Sequence, residues 1–296
     1  MLYYHIYQRF NDKGVIFYDY PEYLLFLTIL STRANRYRIK IIALCQMINH
    51  IHLLACADSL SEISRFVNDY SSAFNREYSK RHNIKGPLFQ SPFGRALKRS
   101  GKSIRSCIAY VYNNPVEKRL CKEAIEYRWN YLAYAASGYP FSDKIKLRFA
   151  SRPLRRAVKE ADSCFASGRC MTYNQLIRLT ESLSIQEKEQ FCDRIIGMYC
   201  PTDFKIMSGF FCGFKEAVLA INSNTGSEYD IAEDFDRADD RIYGQFSKKL
   251  LAKGLIAHPG DIFSMDLVSR QFLRRWLRGH FIAPSWQIDR YLHLPG

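Results

Sequence analysis

Polar and apolar positions alternate loosely over residues 2–10, where tyrosines and Ile6 favour a strand, and "NDKG" then supplies turn chemistry. From Pro21 to about Asn35 the residues Tyr23, Leu24, Leu27 and Leu30 share one helical stripe, with the proline in a favourable first turn. The β-branched run "YRIKIIALCQM" is followed within two or three residues by "HIHLLACA". Two strand patterns that close predict an antiparallel hairpin, with two histidines at the start of its second strand. Asp58 or Ser59 can cap the next helix, in which Leu60, Ile63, Phe66, Val67, Tyr70 and Phe74 recur at helical spacing. "GPLFQSPF" breaks that helix, "FGRALKR" suffices for a fourth strand, and Ser103 opens a helix that Pro115 should stop.

The order strand, helix, strand, strand, helix, strand, with one added helix, predicts an α+β fold of the ferredoxin-like (split βαβ) plan, an antiparallel sheet with helices on one face. Beyond "EYRWNYLAYAASGYPFSDK" the strand signals mostly vanish, and Gly138 to Asp143 reads as a linker. Patterns such as "PLRRAVKEADSCFA", "SIQEKEQFCDRIIGMY" and "SRQFLRRWLRGHF" are helical. The expected organisation is therefore a domain over residues 1–138 and an all-helical C-terminal domain over 144–296, with a DNA-binding or regulatory role. Within the latter, "APSWQIDRYLHLPG" fits either the last helix of a helix-turn-helix, with Ser285 as N-cap and Arg290 outward, or a packing helix that buries Trp286, Ile288 and Tyr291. The acidic stretch from Ser227 to Asp240 lacks EF-hand spacing and reads as a solvated loop and helix start.

Composition narrows the function class. With 296 residues, 47% apolar and 24% charged, the chain is globular rather than disordered or fibrous. A net charge of +14 favours a polyanion, with nucleic acid ahead of an acidic membrane surface. The excess is concentrated early: residues 1–140 hold 20 Lys+Arg against 10 Asp+Glu, and the remainder 23 against 19. The basic run Arg76 to Arg105 includes Lys80, Arg81, Lys85, Arg95, Lys98, Arg99 and Lys102, interleaved with Phe89 and Phe93. Cations of this kind take backbone phosphates, and aromatic rings take unpaired bases. Nine cysteines without a CxxC pair suggest reduced thiols and a cytoplasmic setting. The first residues lack a signal pattern and no apolar run approaches membrane-spanning length, so no membrane partner is expected.

The chemistry centres on "QMINHIHLLACA". Side chains two apart on a strand share a face, which sets His50 and His52 together, roughly 7 Å apart by strand rise. Two imidazoles so placed can share a metal ion, although such a pair is more often an ordinary hydrogen-bonded one. In "IAYVYNNPV", Tyr110 and Asn114 lie four apart and stack on one helical face, while Tyr112 is directed elsewhere. A phenol and an amide thus approach a neighbouring sheet together.

These pieces resemble the HUH endonucleases, specifically the single-tyrosine transposases and above all the REP-associated tyrosine transposases. The residues carrying the resemblance are "YYHIYQRF", "MINHIHLL", "SSAFNREYSKRHNIKGPLFQSPF", "YVYNNPVEKRL" and "EYRWNYLAY", in the family's order over residues 3 to 134. The resemblance implies that His50, His52 and Asn114 bind one divalent metal and that Tyr110 is the nucleophile. Cleavage of single-stranded DNA would leave a 5′-phosphotyrosine and a free 3′-hydroxyl, and a second 3′-hydroxyl could reverse the step and join strands. Two nitrogens and an amide oxygen suit Mg²⁺ with water and phosphate completing the shell, and Mn²⁺ as a substitute. Hairpin-forming DNA is the implied substrate, and the choice between monomer and homodimer stays open. A domesticated, non-catalytic DNA-binding regulator that keeps the fold is the alternative. Three positions depart from the family: Ile48 stands where proline is usual, Tyr112 where histidine is usual, and Pro92 where arginine is frequent.

Overall fold

The computed structural model describes residues 1–11, 14–82, 84–223 and 239–294. The acidic stretch from Ser227 therefore lies outside the described residues up to position 238.

The N-terminal unit is built from β1 (Leu2–Arg9), α1 (Tyr20–Tyr37), β2 (Lys40–Gln46), β3 (His50–Ala57), α2 (Leu60–His82), β4 (Gly94–Lys98) and α3 (Gly101–Glu117). The four strands form one antiparallel sheet in the order β2-β3-β1-β4. This is the expected α+β, split-βαβ plan. Start signals act as the sequence suggests. Asp19 caps α1 in a capping box with Glu22, and Ser59 Oγ accepts from Glu62 N at the start of α2.

Register assigns the two faces. Tyr7 pairs with His52 and Arg9 with His50, so Tyr3, His5, Tyr7 and Arg9 share a face with both histidines. Gln8 points the other way, to Tyr70 and Ser71 of α2, where Phe26 of α1 also packs on Tyr70 and Phe74. The helices α1 and α2 thus cover one face, and the added helix α3 lies across the histidine face.

Pro115 does not stop α3, which continues to Glu117. Only two helical residues follow it, so the hydrogen bond that proline cannot make is lost in the last turn, where the interruption costs least. Asn114 accordingly keeps its helical phase with Tyr110. The helix also begins earlier than expected, capped by Ser100 rather than opened by Ser103, whose side chain closes the capping box.

The remaining helices are α4 (Arg152–Ala166), α5 (Tyr173–Glu181), α6 (Ile185–Tyr199), α7 (Phe204–Gly209), α8 (Phe214–Asn222), α9 (Arg241–Ala252), α10 (Leu267–His280) and α11 (Ser285–Leu292). The region beyond the linker is helical, as expected, but α4–α8 share one continuous core with the sheet, running from Tyr4 to Ile221. The reason is visible in α1. Every residue from Glu22 to Ser31 is buried, and a helix that is apolar all round needs cover on every side. The edge strand β2 is covered as well: Asp203 N donates to Ile41 O at 2.8 Å. The linker is fastened down too, since Phe141 N and Ser142 Oγ donate to the buried Asp193 of α6 at 3.0 and 2.9 Å. A second, smaller core joins α9–α11 to Val15 and Ile48.

In α11, Pro284 occupies the cap position and Ser285 is already helical, with no side-chain cap. Ile288 and Tyr291 are buried, while Trp286 is 39% exposed beneath the Arg290 guanidinium at 4.3 Å. Among the described residues no helix is long and apolar enough to cross a membrane. All nine cysteines are free of disulfides.

Candidate active site

The site forms where strand alternation and helical spacing meet. Alternation in β3 and the β1 register bring His5, Tyr7, His50 and His52 to one face, and α3 lays Tyr110 and Asn114 on it. Asn114 Nδ2 lies 3.1 Å from His52 Nε2. The Tyr110 ring meets His52 edge-on at 5.2 Å between centroids, and His5 at 5.8 Å. His5 Nε2 lies 3.2 Å from His52 Nδ1, and the Tyr7 ring stacks on His52 at 5.0 Å. His50 Nδ1 contacts Asn49 Oδ1 at 2.6 Å. The structure thus brings together all four residues that the sequence singles out for chemistry. They are closed in: exposure is 3% for Tyr110, 5% for His50, 0% for His52 and 4% for Asn114.

Burial also sets the protonation. It pushes the His52 pKa down to about 3, with the Arg9 charge adding to the effect. Burial likewise drives His50 well below its usual value, helped by His52, Arg9 and Lys118 and opposed by Asn114. Both rings are neutral near pH 7 and keep a lone pair, as an imidazole ligand must.

The fit to a cation can be tested on the donors. Among the described residues no group of three His, Cys, Asp or Glu side chains could hold an ion. A site here depends on an amide completing the histidine pair, and Asn114 supplies one. Its Oδ1 is buried without a hydrogen-bond partner, a costly state that a cation would relieve. Two imidazole nitrogens and this oxygen are donors of the kind a divalent ion takes, once the Asn114 amide turns its Nδ2 away from His52 Nε2, which it faces at 3.1 Å.

Tyr112 is placed apart from this cluster. It is fully buried, with its phenol beside Thr202 and its pKa driven well above the usual value by burial. Thr202 and Cys200 beside it come from the C-terminal segment, so the departure from histidine at this position answers to packing. Ile48 has a similar explanation, because it plugs the second core against α9–α11.

The sequence-assigned DNA contacts divide into two groups. Lys80, Arg81, Lys85, Arg95, Arg99 and Lys102 are exposed. Phe89 is buried against Phe26 and Phe74, so its ring serves the core and not a base. Lys98 is buried as well, since alternation in β4 turns it inward opposite Tyr3 of β1. Phe93 stays partly accessible with the Arg95 guanidinium 5.9 Å from its ring. Sequence reasoning missed His5. The alternation of His5, Tyr7 and Arg9 was a signal, but which strand they face depends on the register.

Residues 1–114 match the family model described as "Transposase IS200 like". The matched stretch ends on Asn114 and contains all four site residues, so the resemblance read from the motifs is borne out over this part of the chain. Among solved structures, the chain is similar to one described as "Structure of the REP associates tyrosine transposase bound to a REP hairpin". Identity is 15% and the TM-score 0.39, over 46% of this chain and 81% of that chain. No curated protein matches the chain.

Proposed function

We propose that residues 1–138, of which the first 114 match the IS200-like transposases, act as a single-stranded DNA endonuclease and strand transferase. In this reading Tyr110 is the nucleophile, and His50, His52 and Asn114 hold one divalent cation, Mg²⁺ with Mn²⁺ as a competent substitute. The observation that carries it is the convergence of the Tyr110 ring and the Asn114 amide, both from α3, on His52 of β3.

A bound cation would withdraw charge from the scissile phosphate and align it for in-line attack. The rest falls to the chain. The Tyr110 hydroxyl gives up its proton and its oxygen bonds to phosphorus, while the bond to the 3′ oxygen breaks and that oxygen leaves as a protonated hydroxyl. The 5′ phosphate stays on the tyrosine, and attack by a second 3′-hydroxyl joins the strands and frees Tyr110. Exposed Lys80, Arg81, Lys85, Arg95, Arg99 and Lys102 would hold the phosphate backbone. A hairpin-forming strand in the cytoplasm is the expected setting. The C-terminal helices would modulate the reaction, since their core grips Ile48, two residues before His50.

The test is incubation of labelled single-stranded oligonucleotides, carrying hairpins from beside the gene, with Mg²⁺, Mn²⁺ or chelator. The readout is a denaturation-resistant protein–DNA adduct. It should form with metal, vanish in Tyr110→Phe and persist in Tyr112→Phe. Loss in Tyr112→Phe alone would overturn the nucleophile.

Closure of the site favours a second reading. Tyr110 is almost inaccessible and both ring nitrogens of His52 are engaged within the protein. A non-catalytic DNA-binding regulator predicts oligonucleotide binding that survives Tyr110→Phe and chelation, with no adduct under any condition.

A further inference from the structure

We infer that His5 is a positioning residue for the ion site, which holds His52 in one tautomer and one ring orientation so that the Nε2 lone pair of His52 faces Asn114. The inference rests on the reading of His50, His52 and Asn114 as a cation-binding set.

In the orientation the Asn114 amide takes, its Nδ2 lies 3.1 Å from His52 Nε2, and because an amide nitrogen only donates, Nε2 is the acceptor and carries the lone pair. A neutral imidazole has a single N–H, and it is then on Nδ1. Nδ1 faces His5 Nε2 at 3.2 Å. His5 Nε2 is therefore the acceptor, and the proton of His5 resides on its own Nδ1. The chain of donation runs from Asn114 through His52 to His5, and every step has one donor and one acceptor.

The surroundings make this arrangement rigid. His5 is fully buried on β1, in the strand that pairs with β3. The ladder sets Tyr7 opposite His52 and His5 opposite Leu54, so His5 is the diagonal neighbour of His52. The two imidazoles stack at 5.4 Å with 28° between planes, and Tyr7 lies at 28° to the same ring. A leucine would fill a buried strand position without the cost of desolvating an imidazole. The hydrogen bond to His52 offsets that cost. A metal-binding histidine whose second nitrogen donates to a fixed acceptor is more basic and better oriented at the first, and losing such an acceptor costs about 10–100-fold in metal affinity.

The experiment compares the full chain with His5→Phe, which keeps a ring and removes the acceptor, and His5→Gln, whose amide oxygen can accept in its place. In chelator, two-bond ¹H–¹⁵N spectra of ¹⁵N-histidine-labelled protein read the tautomer of each of the seven histidines, with His52 assigned through His52→Gln. Mn²⁺ is then titrated and free ion followed by electron paramagnetic resonance. The expected result is an Nδ1–H tautomer for wild-type His52. His5→Phe should lose that tautomer and bind Mn²⁺ about 10–100-fold more weakly, while His5→Gln stays within about threefold of wild type. A merely structural role would not distinguish phenylalanine from glutamine in this way. An Nε2–H tautomer in the wild type, or Mn²⁺ affinity that is equal in the wild type and His5→Phe, would overturn the proposal. So would equal weakening in both variants. If His5→Phe fails to fold, the wild-type tautomer and His5→Gln still decide. No Mn²⁺ uptake by a wild type that shows the expected tautomer would instead overturn the ion-site reading beneath the proposal.

Discussion

The depressed pKa of His52 makes a quantitative prediction about acid stability. In the unfolded chain a histidine takes up a proton near pH 6.5, whereas folded His52 resists until about pH 3 because it is buried and lies near Arg9. Between these values the unfolded state binds more protons, so stability falls as pH falls from 6.5 towards 3. At pH 4.5 the two-unit gap below the unfolded pKa corresponds to about 2–3 kcal/mol. The perturbation is His52→Gln, which has no titrating ring. Urea denaturation in chelator at pH 7 and pH 4.5 measures the stability of each protein. Wild type should lose about 2–3 kcal/mol more than His52→Gln over this interval. His50 is shifted in the same direction but is present in both proteins, so its contribution largely cancels. Equal losses, within about 0.5 kcal/mol, would refute the assignment of His52 as a neutral, buried imidazole. The same shift bears on function, because a ring that stays neutral at mildly acidic pH does not surrender its lone pair to a proton.

Other parts of the structure carry predictions of their own. Asp193 accepts from Tyr134 and Ser142, from Phe141 N, and pairs with buried Arg128, so Asp193→Ala should cost about 3–5 kcal/mol in a urea melt and Asp193→Asn less. Glu22 is pushed up to about 7 by burial and then by Asp19. A carboxyl that holds its proton longer in the folded state loses stability as pH rises from 4.5 through 7, so Glu22→Gln should gain on wild type at pH 8 relative to pH 4.5. Ile48→Ala should cost about 2–4 kcal/mol, with hydrogen exchange quickened in α9–α11 more than in the sheet, because Ile48 belongs to their core.

Much of the site was legible because it is encoded in local periods. Alternation in "HIHLLACA" put His50 and His52 on one face, and the four-residue step from Tyr110 to Asn114 put those two on another, before any contact was known. Element order yielded the split-βαβ sheet for the same reason. The misreadings share a different cause. Pro115 looks like a stop when only its own preference counts, but its place in the last turn makes the break cheap. Phe89 and Lys98 look like DNA contacts in a basic run, yet the fold turns both inward. The proposed domain boundary met a continuous core, although the run "YLLFLTIL", apolar but for Thr28, already hinted that α1 needed cover on all sides.

The sequence by itself determined which residues share a face, because the 2.0 and 3.6 periods are properties of the backbone and need no partner. Only the tertiary structure decided which faces meet. The register of β1 on β3 set His5 beside His52, the path of α3 over the sheet put Tyr110 rather than Tyr112 at the histidines, and the segment holding Cys200 and Thr202 closed over Tyr112. Those choices depend on long-range pairing and on the burial of apolar surface summed over the whole chain, which no short window of residues contains.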